Sequence, residues 1–187
     1  SDLAAEPSTA VFSSCRKARY IIKKYHESIP ADWRFFNRAA LFIGRTLPPE
    51  VAAAGLREQI LQLHGNPFDF GAHEPSENLM EAGLAQCQNY LDRCQEGRIQ
   101  SRDMPTQVSA AEVTFADGRT EAIDAIIAGT GYDLNLPYLS EELQHALNLD
   151  NADLDLYQYT FNPKVEGLAF VGQLQLTGPY FPVLELQ

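Results

Sequence analysis

Two short apolar runs that each end in glycine constrain this sequence more than any other feature. One runs from Ile126 to Gly131 and the other from Leu168 to Gly172. A β-branched or aromatic run that stops at glycine is typical of a buried strand that brings its backbone to a ligand crevice. The pattern predicts an α/β protein of Rossmann-like, dinucleotide-binding architecture. No Gly-x-Gly-x-x-Gly loop occurs in the 187 residues, so we expect a truncated part of such a fold.

Composition narrows the class of protein further. The hydrophobic content of 45% is enough for a core, and no run reaches the roughly eighteen apolar residues of a membrane span. The sequence does not start with a signal peptide, so we expect a cytoplasmic location and no transmembrane segment. The formal charge of −11 opposes binding to nucleic acid or to an anionic membrane, because the field repels phosphate. Three cysteines without Cys-x-x-Cys spacing indicate neither a disulfide framework nor a zinc site.

Hydrophobic periodicity predicts a series of helices and strands. In the first third of the chain, we expect a helix tail at 2–10, a strand at 11–14, and a loop and basic segment at 15–25. A helix that Pro49 opens and Gly65 closes should follow, and then one helix across 76–94. The remaining expected elements are a hairpin with strands at 111–115 and 120–128, a helix capped by Ser140, and strands near 156–161 and 168–171. In the helix across 76–94, one buried face would carry Met80, Leu84, Cys87, Leu91 and Cys94.

The basic segment after the first strand is a candidate phosphate site. Ser14 ends the predicted strand at 11–14, and Arg16 and Lys17 follow it, with no carboxylate among them. In a dinucleotide fold, the end of the second strand lies beside the adenosine ribose, where arginine accommodates the 2′-phosphate of NADP. Arg16 has the planar fork that pairs with phosphate. The alternative is a solvated basic surface.

The two glycine turns are candidate cofactor contacts. Thr130 and Gly131 close one apolar run, and glycine permits the positive φ that a close approach to a cofactor needs. Gly172 and Gln173 close the other, where a backbone N–H and a side-chain amide are available to a flavin or a pyrophosphate. The alternative for both is an ordinary tight turn. No catalytic triad, nucleophile elbow or metal-ligand spacing occurs, so we assign no catalytic and no metal-binding residue.

Taken in their order along the chain, these segments resemble the corresponding segments of the flavin-containing monooxygenases. Residues 1–6 resemble the segment that follows the NADP-binding glycine motif, and Val11 to Arg16 look like the next strand and its phosphate-reading turn. Residues 117–132 are similar to the family's Phe-Ala-Thr-Gly-Tyr region, although Ala128 and Gly129 stand where phenylalanine and alanine are usual. The C-terminal flavin-side segment of the family is resembled by residues 156–161, Pro163, residues 168–172 and residues 182–187, whereas about 33–96 match poorly.

The resemblance implies a domain organisation and a set of cofactor contacts. Residues 1–121 would be the remainder of an NADP-binding domain, and residues 122–187 the C-terminal part of an FAD-binding domain. Ser1, Asp2, Ser14, Arg16 and Lys17 would lie on the NADP side, Thr130 and Gly131 at the domain junction, and Gly172 and Gln173 on the flavin side.

The resemblance also implies an activity. NADPH would reduce FAD, O2 would add to form a C4a-hydroperoxide, and a soft nucleophile, an amine or sulfide such as N,N-dimethylaniline, would take the oxygen. This chain alone is expected to be inactive. Two alternatives stay open: a Baeyer-Villiger or N-hydroxylating flavin monooxygenase, and a non-catalytic nucleotide-binding or interaction module without flavin. A homodimer stays open as well.

Overall fold

The computed structural model describes residues 2–6, 8–131, 133–149 and 154–173. Two compact units divide the chain, unit 1 at Ser1–Ile126 and unit 2 at Ile127–Gln187. The strands are β1 Val11–Ser13, β2 Tyr20–Ile22, β3 Tyr25–His26, β4 Ile29–Pro30, β5 Leu84–Gln86, β6 Ile99–Ser101, β7 Pro105–Val108, β8 Glu112–Phe115 and β9 Thr120–Ala122. The helices are α1 Ala31–Phe35, α2 Arg38–Thr46, α3 Pro49–His64, α4 Leu79–Ala82, α5 Tyr90–Gln95 and α6 Glu141–Ala146, and 3-10 turns lie at Leu3–Ala5 and Pro67–Phe70.

Two parallel strand pairs organise unit 1. β1 pairs with β6, and β2 pairs with β5. All three residues of β2 are buried, as is typical of a parallel strand covered on both faces. The sequence had placed these residues in a loop and basic segment, and that expectation was wrong because Tyr20, Ile21 and Ile22 form a short buried strand between exposed cations. The mixture of helices and strands confirms an α/β class.

The helix predicted from Pro49 to Gly65 is confirmed as α3. Pro49 occupies its first turn, where no backbone N–H is needed, and Gly65 ends it with φ of 79°. Ile60 is fully buried in a core cluster that includes Tyr20, Phe35 and Leu79. The helix therefore packs against the β2–β5 pair. Within the described part of the chain, no helix is long and apolar enough to span a lipid bilayer.

The single helix predicted across residues 76–94 was wrong. Three elements occupy this stretch, namely α4, β5 and α5. Gly83 ends α4 with φ of 72°, and β5 then pairs with β2. Met80, expected on the buried face, is 77% exposed, whereas Leu91 and Cys94 are buried. The apolar steps of three and four fitted one helix by coincidence, and the glycine turn with its parallel pairing decided otherwise.

The predicted hairpin is confirmed in part. β8 and β9 pair through the turn at Asp117 and Gly118, where Gly118 has φ of 82°. β9 ends at Ala122, and β7 adds a third antiparallel strand. The predicted buried strand running to Gly131 was wrong, because residues 123–131 form no strand and Ile126 and Ile127 are 60% and 77% exposed.

The described residues of unit 2 contain one helix, α6, and a small core. Ser140 caps α6 as predicted, since its Oγ accepts a hydrogen bond from Leu143 N at 3.4 Å. The core consists of Leu136, Leu147, Val165 and Phe170. The strands predicted near 156–161 and 168–171 did not form. Two isolated antiparallel bridges, from Phe161 to Tyr157 and to Ala169, replace them. The predicted helix tail at 2–10 is reduced to the turn Leu3–Ala5.

Candidate functional site

The parallel pairing of β1 and β6 brings two distant parts of the sequence to one edge. Ser13 lies opposite Ser101, and the backbone N–H of Arg102 donates to the Ser13 carbonyl oxygen at 2.9 Å. Both strands end here in the same direction. In α/β folds the carboxyl ends of parallel strands form the ligand crevice. The segments that follow, residues 14–17 and 102–104, therefore constitute a candidate binding edge.

Ser14 is fixed at this edge by a contact with the second segment. Its Oγ donates to the Asp103 carbonyl oxygen at 2.9 Å and lies 3.4 Å from the Met104 sulfur. A hydroxyl has one hydrogen, so its donation is committed to the protein. Phosphate oxygens are acceptors, so Ser14 in this position orients the turn rather than donating to a phosphate.

Arg16 and Lys17 are the cations available to a ligand at the edge. Both side chains are exposed. Neither forms a hydrogen bond or an ion pair with any other residue that the structure describes. Asp2 is also exposed, and its carbonyl oxygen accepts from Ala5 N at 2.9 Å. Ser1 lies outside the described residues.

Arg102 connects the edge to the antiparallel sheet, a role that sequence reasoning missed. The residue is 8% exposed, and its Nε donates to Glu121 Oε1 at 3.0 Å. Further donations reach the Ser101 carbonyl at 3.0 Å and Gln100 Oε1 at 2.8 Å. The guanidinium also lies 4.9 Å from the centre of the Phe12 ring. Nothing in the local sequence distinguishes this arginine from an exposed one, because its charge partner Glu121 and its ring contact Phe12 are remote.

The thiols and the phenol near the edge are held neutral. Burial raises the pKa of Tyr90, whose hydroxyl lies 3.3 Å from Ser13 Oγ. Burial also raises the pKa of Cys94. For Cys15, burial raises the pKa and the positive charge of Arg19 opposes this rise. These groups therefore supply no thiolate or phenolate at neutral pH.

A buried histidine lies elsewhere in unit 1. His64 is 5% exposed, and neither of its ring nitrogens has a hydrogen-bond partner among the residues that the structure describes. Its ring lies 5.6 Å from that of His26 and 6.0 Å from that of Phe35. Burial lowers the pKa of His64 to about 4, and the neighbouring charges of His26, Lys23 and Arg34 act in the same direction. No group of three or more potential metal ligands occurs among the described residues.

Unit 2 contains the candidate domain-junction residues Thr130 and Gly131 and the candidate flavin-side residues Gly172 and Gln173. Thr130 and Gly131 are exposed, and Gly131 has φ of 90°. Gly172 has φ of 88°, and it and Gln173 are exposed. Positive φ explains why glycine occupies both turns.

Comparison with known proteins defines the class. The profile of the family described as "FMO-like: Flavin-binding monooxygenase-like" matches residues 1–187. The chain belongs to this family, which implies a flavin cofactor. The predicted resemblance is confirmed.

Named relatives add detail within that class. The whole chain is 28% identical to dimethylaniline monooxygenase [N-oxide-forming] 2 of Cavia porcellus, and it covers 35% of that protein. Identity and coverage are the same for flavin-containing monooxygenases 2 and 5 of Homo sapiens. The chain spans about a third of the length of these curated relatives.

Proposed function

We propose that this chain forms part of an NADPH-dependent flavin monooxygenase that oxygenates a soft nucleophile, an amine or a sulfide. Family membership supports the flavin chemistry, and the names of the relatives support N-oxide formation. In the reaction, substrate, O2, NADPH and one proton give the oxygenated product, water and NADP⁺. The bound FAD would supply oxygen activation and NADPH the hydride.

The observation that carries the NADP assignment is the edge where β1 and β6 end together. Arg16 and Lys17 lie three and four residues beyond the end of β1 and have no protein partner among the described residues. Two exposed cations without partners in a chain of charge −11 favour a compact anion at this position. The 2′-phosphate of NADP is such an anion, and the missing carboxylate argues against NAD.

We assign the two units to different cofactors. Residues 1–121, within unit 1, would serve NADP, and residues 122–187, which include unit 2, would contribute to the FAD site. Thr130, Gly131, Gly172 and Gln173 are accessible to a ligand, and two of them have no side chain to obstruct the approach. This accessibility fits a cofactor contact. The reaction needs no acid–base pair from these residues, only positioned cofactors and a pocket that excludes water. We also propose that the enzyme acts in the cytoplasm, on small molecules.

The proposed activity is tested on the intact purified protein. We expect a flavin absorbance spectrum, and NADPH oxidation that N,N-dimethylaniline or a thioether stimulates with formation of N-oxide or S-oxide. The comparison with NADH measures nucleotide selectivity. Oxygen insertion only into ketones would favour a Baeyer-Villiger enzyme, and products formed only from primary amines would favour an N-hydroxylating one. Nucleotide binding without flavin would instead indicate a non-catalytic module and refute the proposal.

A further inference from the structure

Three polar side chains of unit 1 meet beside the C-terminal end of α3. They are His64, the last residue of α3, His26 of β3 and Arg34 of α1. The rings of His26 and His64 meet edge to face, with their centres 5.6 Å apart. Arg34 is close enough that its charge acts on the pKa of His64. We refer to these three residues as the α3-end cluster.

The cluster contains buried hydrogen-bonding atoms that the described part of the chain leaves unsatisfied. Both ring nitrogens of His64 and the Nε of Arg34 are buried without a hydrogen-bond partner. Within the residues that the structure describes, no other buried side-chain nitrogen or oxygen is in this condition. An unsatisfied buried donor costs stability, so such atoms are rare in folded proteins. Their concentration at one place indicates that a partner from outside the chain binds here.

The charges that act on the cluster are positive. Those that shift the pKa of His64 belong to His26, Lys23 and Arg34, and all three lower it. Lys23 is already paired, since its Nζ lies 2.9 Å from Oδ1 of Asp92 in α5. Arg34 has no such counter-charge among the described residues. The missing partner is therefore expected to be negative.

The carboxylates that are near in the sequence do not supply this negative charge. Asp32 lies in α1 and Glu27 in the turn between β3 and β4, and both side chains are exposed. Neither forms an ion pair with a residue that the structure describes. Neither is among the charges that shift the pKa of His64. The positive charge of Arg34 thus stays available to a ligand.

We propose that the α3-end cluster binds a compact tetrahedral oxyanion, a sulfate or a phosphate group. The guanidinium of Arg34 offers a planar set of donors that matches two oxygens of such an ion, and each imidazole can donate once more. His26 and Arg34 are half-buried, so they connect the buried ring to solvent. The elements involved, α1, β3 and α3, differ from the strands β1 and β6 of the candidate NADP edge.

A metal cation is a poorer occupant of the cluster. The charges of Arg34 and Lys23 would repel it. The two imidazoles would need at least one further ligand, and the part of the chain that the structure describes contains no group of three or more potential metal ligands. The cluster therefore favours an anion over a cation.

Binding of the anion should be coupled to proton uptake by His64. Without a ligand, burial and the neighbouring cations lower the pKa of this ring to about 4, so the ring is neutral. A bound dianion offsets those cations, and the C-terminal end of α3 favours a positive side chain. The ring should therefore be protonated in the occupied site. The affinity should then rise as the pH falls, by up to about tenfold per pH unit.

Calorimetric titration of sodium sulfate into the intact purified protein tests the proposal. Sulfate keeps its charge between about pH 5.5 and about pH 7.5, so a change in affinity over this range reports on the protein. Sodium chloride at equal ionic strength controls for screening. We expect saturable binding that strengthens at the lower pH, with a heat that depends on the ionisation enthalpy of the buffer because a proton is taken up.

Substitutions of Arg34 locate the binding. Arg34→Gln should weaken sulfate binding by about tenfold or more, because it removes the charge and the planar donor set. Arg34→Lys keeps the charge and should lose less, which separates the effect of charge from a disturbance of packing. Arg45→Gln, at an exposed arginine of α2, is the matched control and should bind sulfate as the parent does.

A substitution of His64 tests the proton coupling. His64→Gln keeps a donor but cannot titrate, so it should bind sulfate with an affinity that changes little with pH. Absence of saturable binding in the parent would overturn the proposal and show that water occupies the cluster. Equal affinity of the parent and Arg34→Gln would place the sulfate elsewhere, for example at Arg16 and Lys17. An unchanged pH dependence in His64→Gln would refute the role of His64.

Discussion

The guanidinium of Arg102 is buried against the carboxylate of Glu121, with Nε donating to Oε1 at 3.0 Å. This pair joins the end of β6 to β9, and so connects the candidate binding edge to the antiparallel sheet. The carboxylate is the more accessible partner, at 26% exposure. Removal of either partner leaves a charge in a poorly solvated place.

We therefore expect Arg102→Ala to lower the free energy of unfolding by about 2–4 kcal/mol, through the lost ion pair, the lost Phe12 contact and the uncompensated Glu121. Chemical denaturation measures the change. Arg93→Ala is the control, because its pair with Glu96 is solvent-accessible and should contribute at most about 1 kcal/mol. Equal losses in the two variants would contradict a structural role for Arg102.

Arg16 should determine nucleotide selectivity. In the intact enzyme, Arg16→Ala should raise the KM for NADPH by about ten- to a hundredfold, as expected for a lost charge-assisted contact of about 1.5–3 kcal/mol. The KM for NADH should change little, since NADH lacks the 2′-phosphate. Steady-state kinetics with both nucleotides measure the ratio.

The variant Arg45→Ala is the matched control for Arg16→Ala, because it removes an exposed arginine far from the edge in the sequence. It should leave both KM values unchanged. Ser14→Ala should have a smaller effect than Arg16→Ala, since the Ser14 hydroxyl donates to Asp103 rather than outward. Equal losses for NADPH and NADH in Arg16→Ala would remove Arg16 from the phosphate site.

Local signals in the sequence predicted the elements whose causes are local. Pro49 and Gly65 bracket α3, Ser140 caps α6, and Asp117-Gly118 forms the hairpin turn. Each depends on the conformational preference of one or two residues. The position of Arg16 after a strand was also predicted, whereas Ser14, predicted as the last residue of that strand, lies just beyond β1.

Elements that depend on remote partners could not be predicted in this way. β2 and β5 are three residues each and pair across more than sixty positions, so periodicity could not separate them from a loop or a helix. The contact of Arg102 with Phe12 and the contact of Ser14 with Asp103 arise from the β1–β6 pairing, which one sequence does not reveal. Ile126 and Ile127 show the opposite kind of error. Their apolar composition predicted a buried strand, but both side chains are exposed, because apolar composition alone does not establish burial.

His64 should make unfolding pH-dependent. Its pKa is lowered from 6.5 to about 4 in the folded protein, so the unfolded chain takes up the proton first. The stability associated with the neutral ring is therefore complete above pH 6.5 and is lost as the pH falls towards 4. A difference of one pKa unit corresponds to about 1.4 kcal/mol of stability. The free energy of unfolding should therefore fall by on the order of 3 kcal/mol as His64 becomes protonated.

Denaturation midpoints of the parent and His64→Leu at several pH values isolate this contribution, because carboxylate titrations near pH 4 are common to both proteins. Below pH 6.5, the denaturation midpoint of the parent should fall more than that of the variant. At neutral pH the variant should be as stable as the parent or more so, since the two ring nitrogens have no hydrogen bond to lose within the described part of the chain. A constant difference across the range would show that His64 titrates normally.

Two glycines of unit 1 should respond to alanine in opposite directions. Gly83 has φ of 72°, and an added Cβ would lie 2.8 Å from Arg19 Nη1. The end of the Arg19 side chain can move away, so the cost of the substitution comes mainly from the positive φ. Gly83→Ala should therefore destabilise the fold by about 1 kcal/mol or more.

Gly55, in the middle of α3, has no atom within 4 Å of its added Cβ. Gly55→Ala should stabilise by about 0.5–1 kcal/mol, because alanine loses less entropy in a helix. Thermal unfolding of both variants measures the pair, and stabilisation by Gly83→Ala would refute the turn that ends α4.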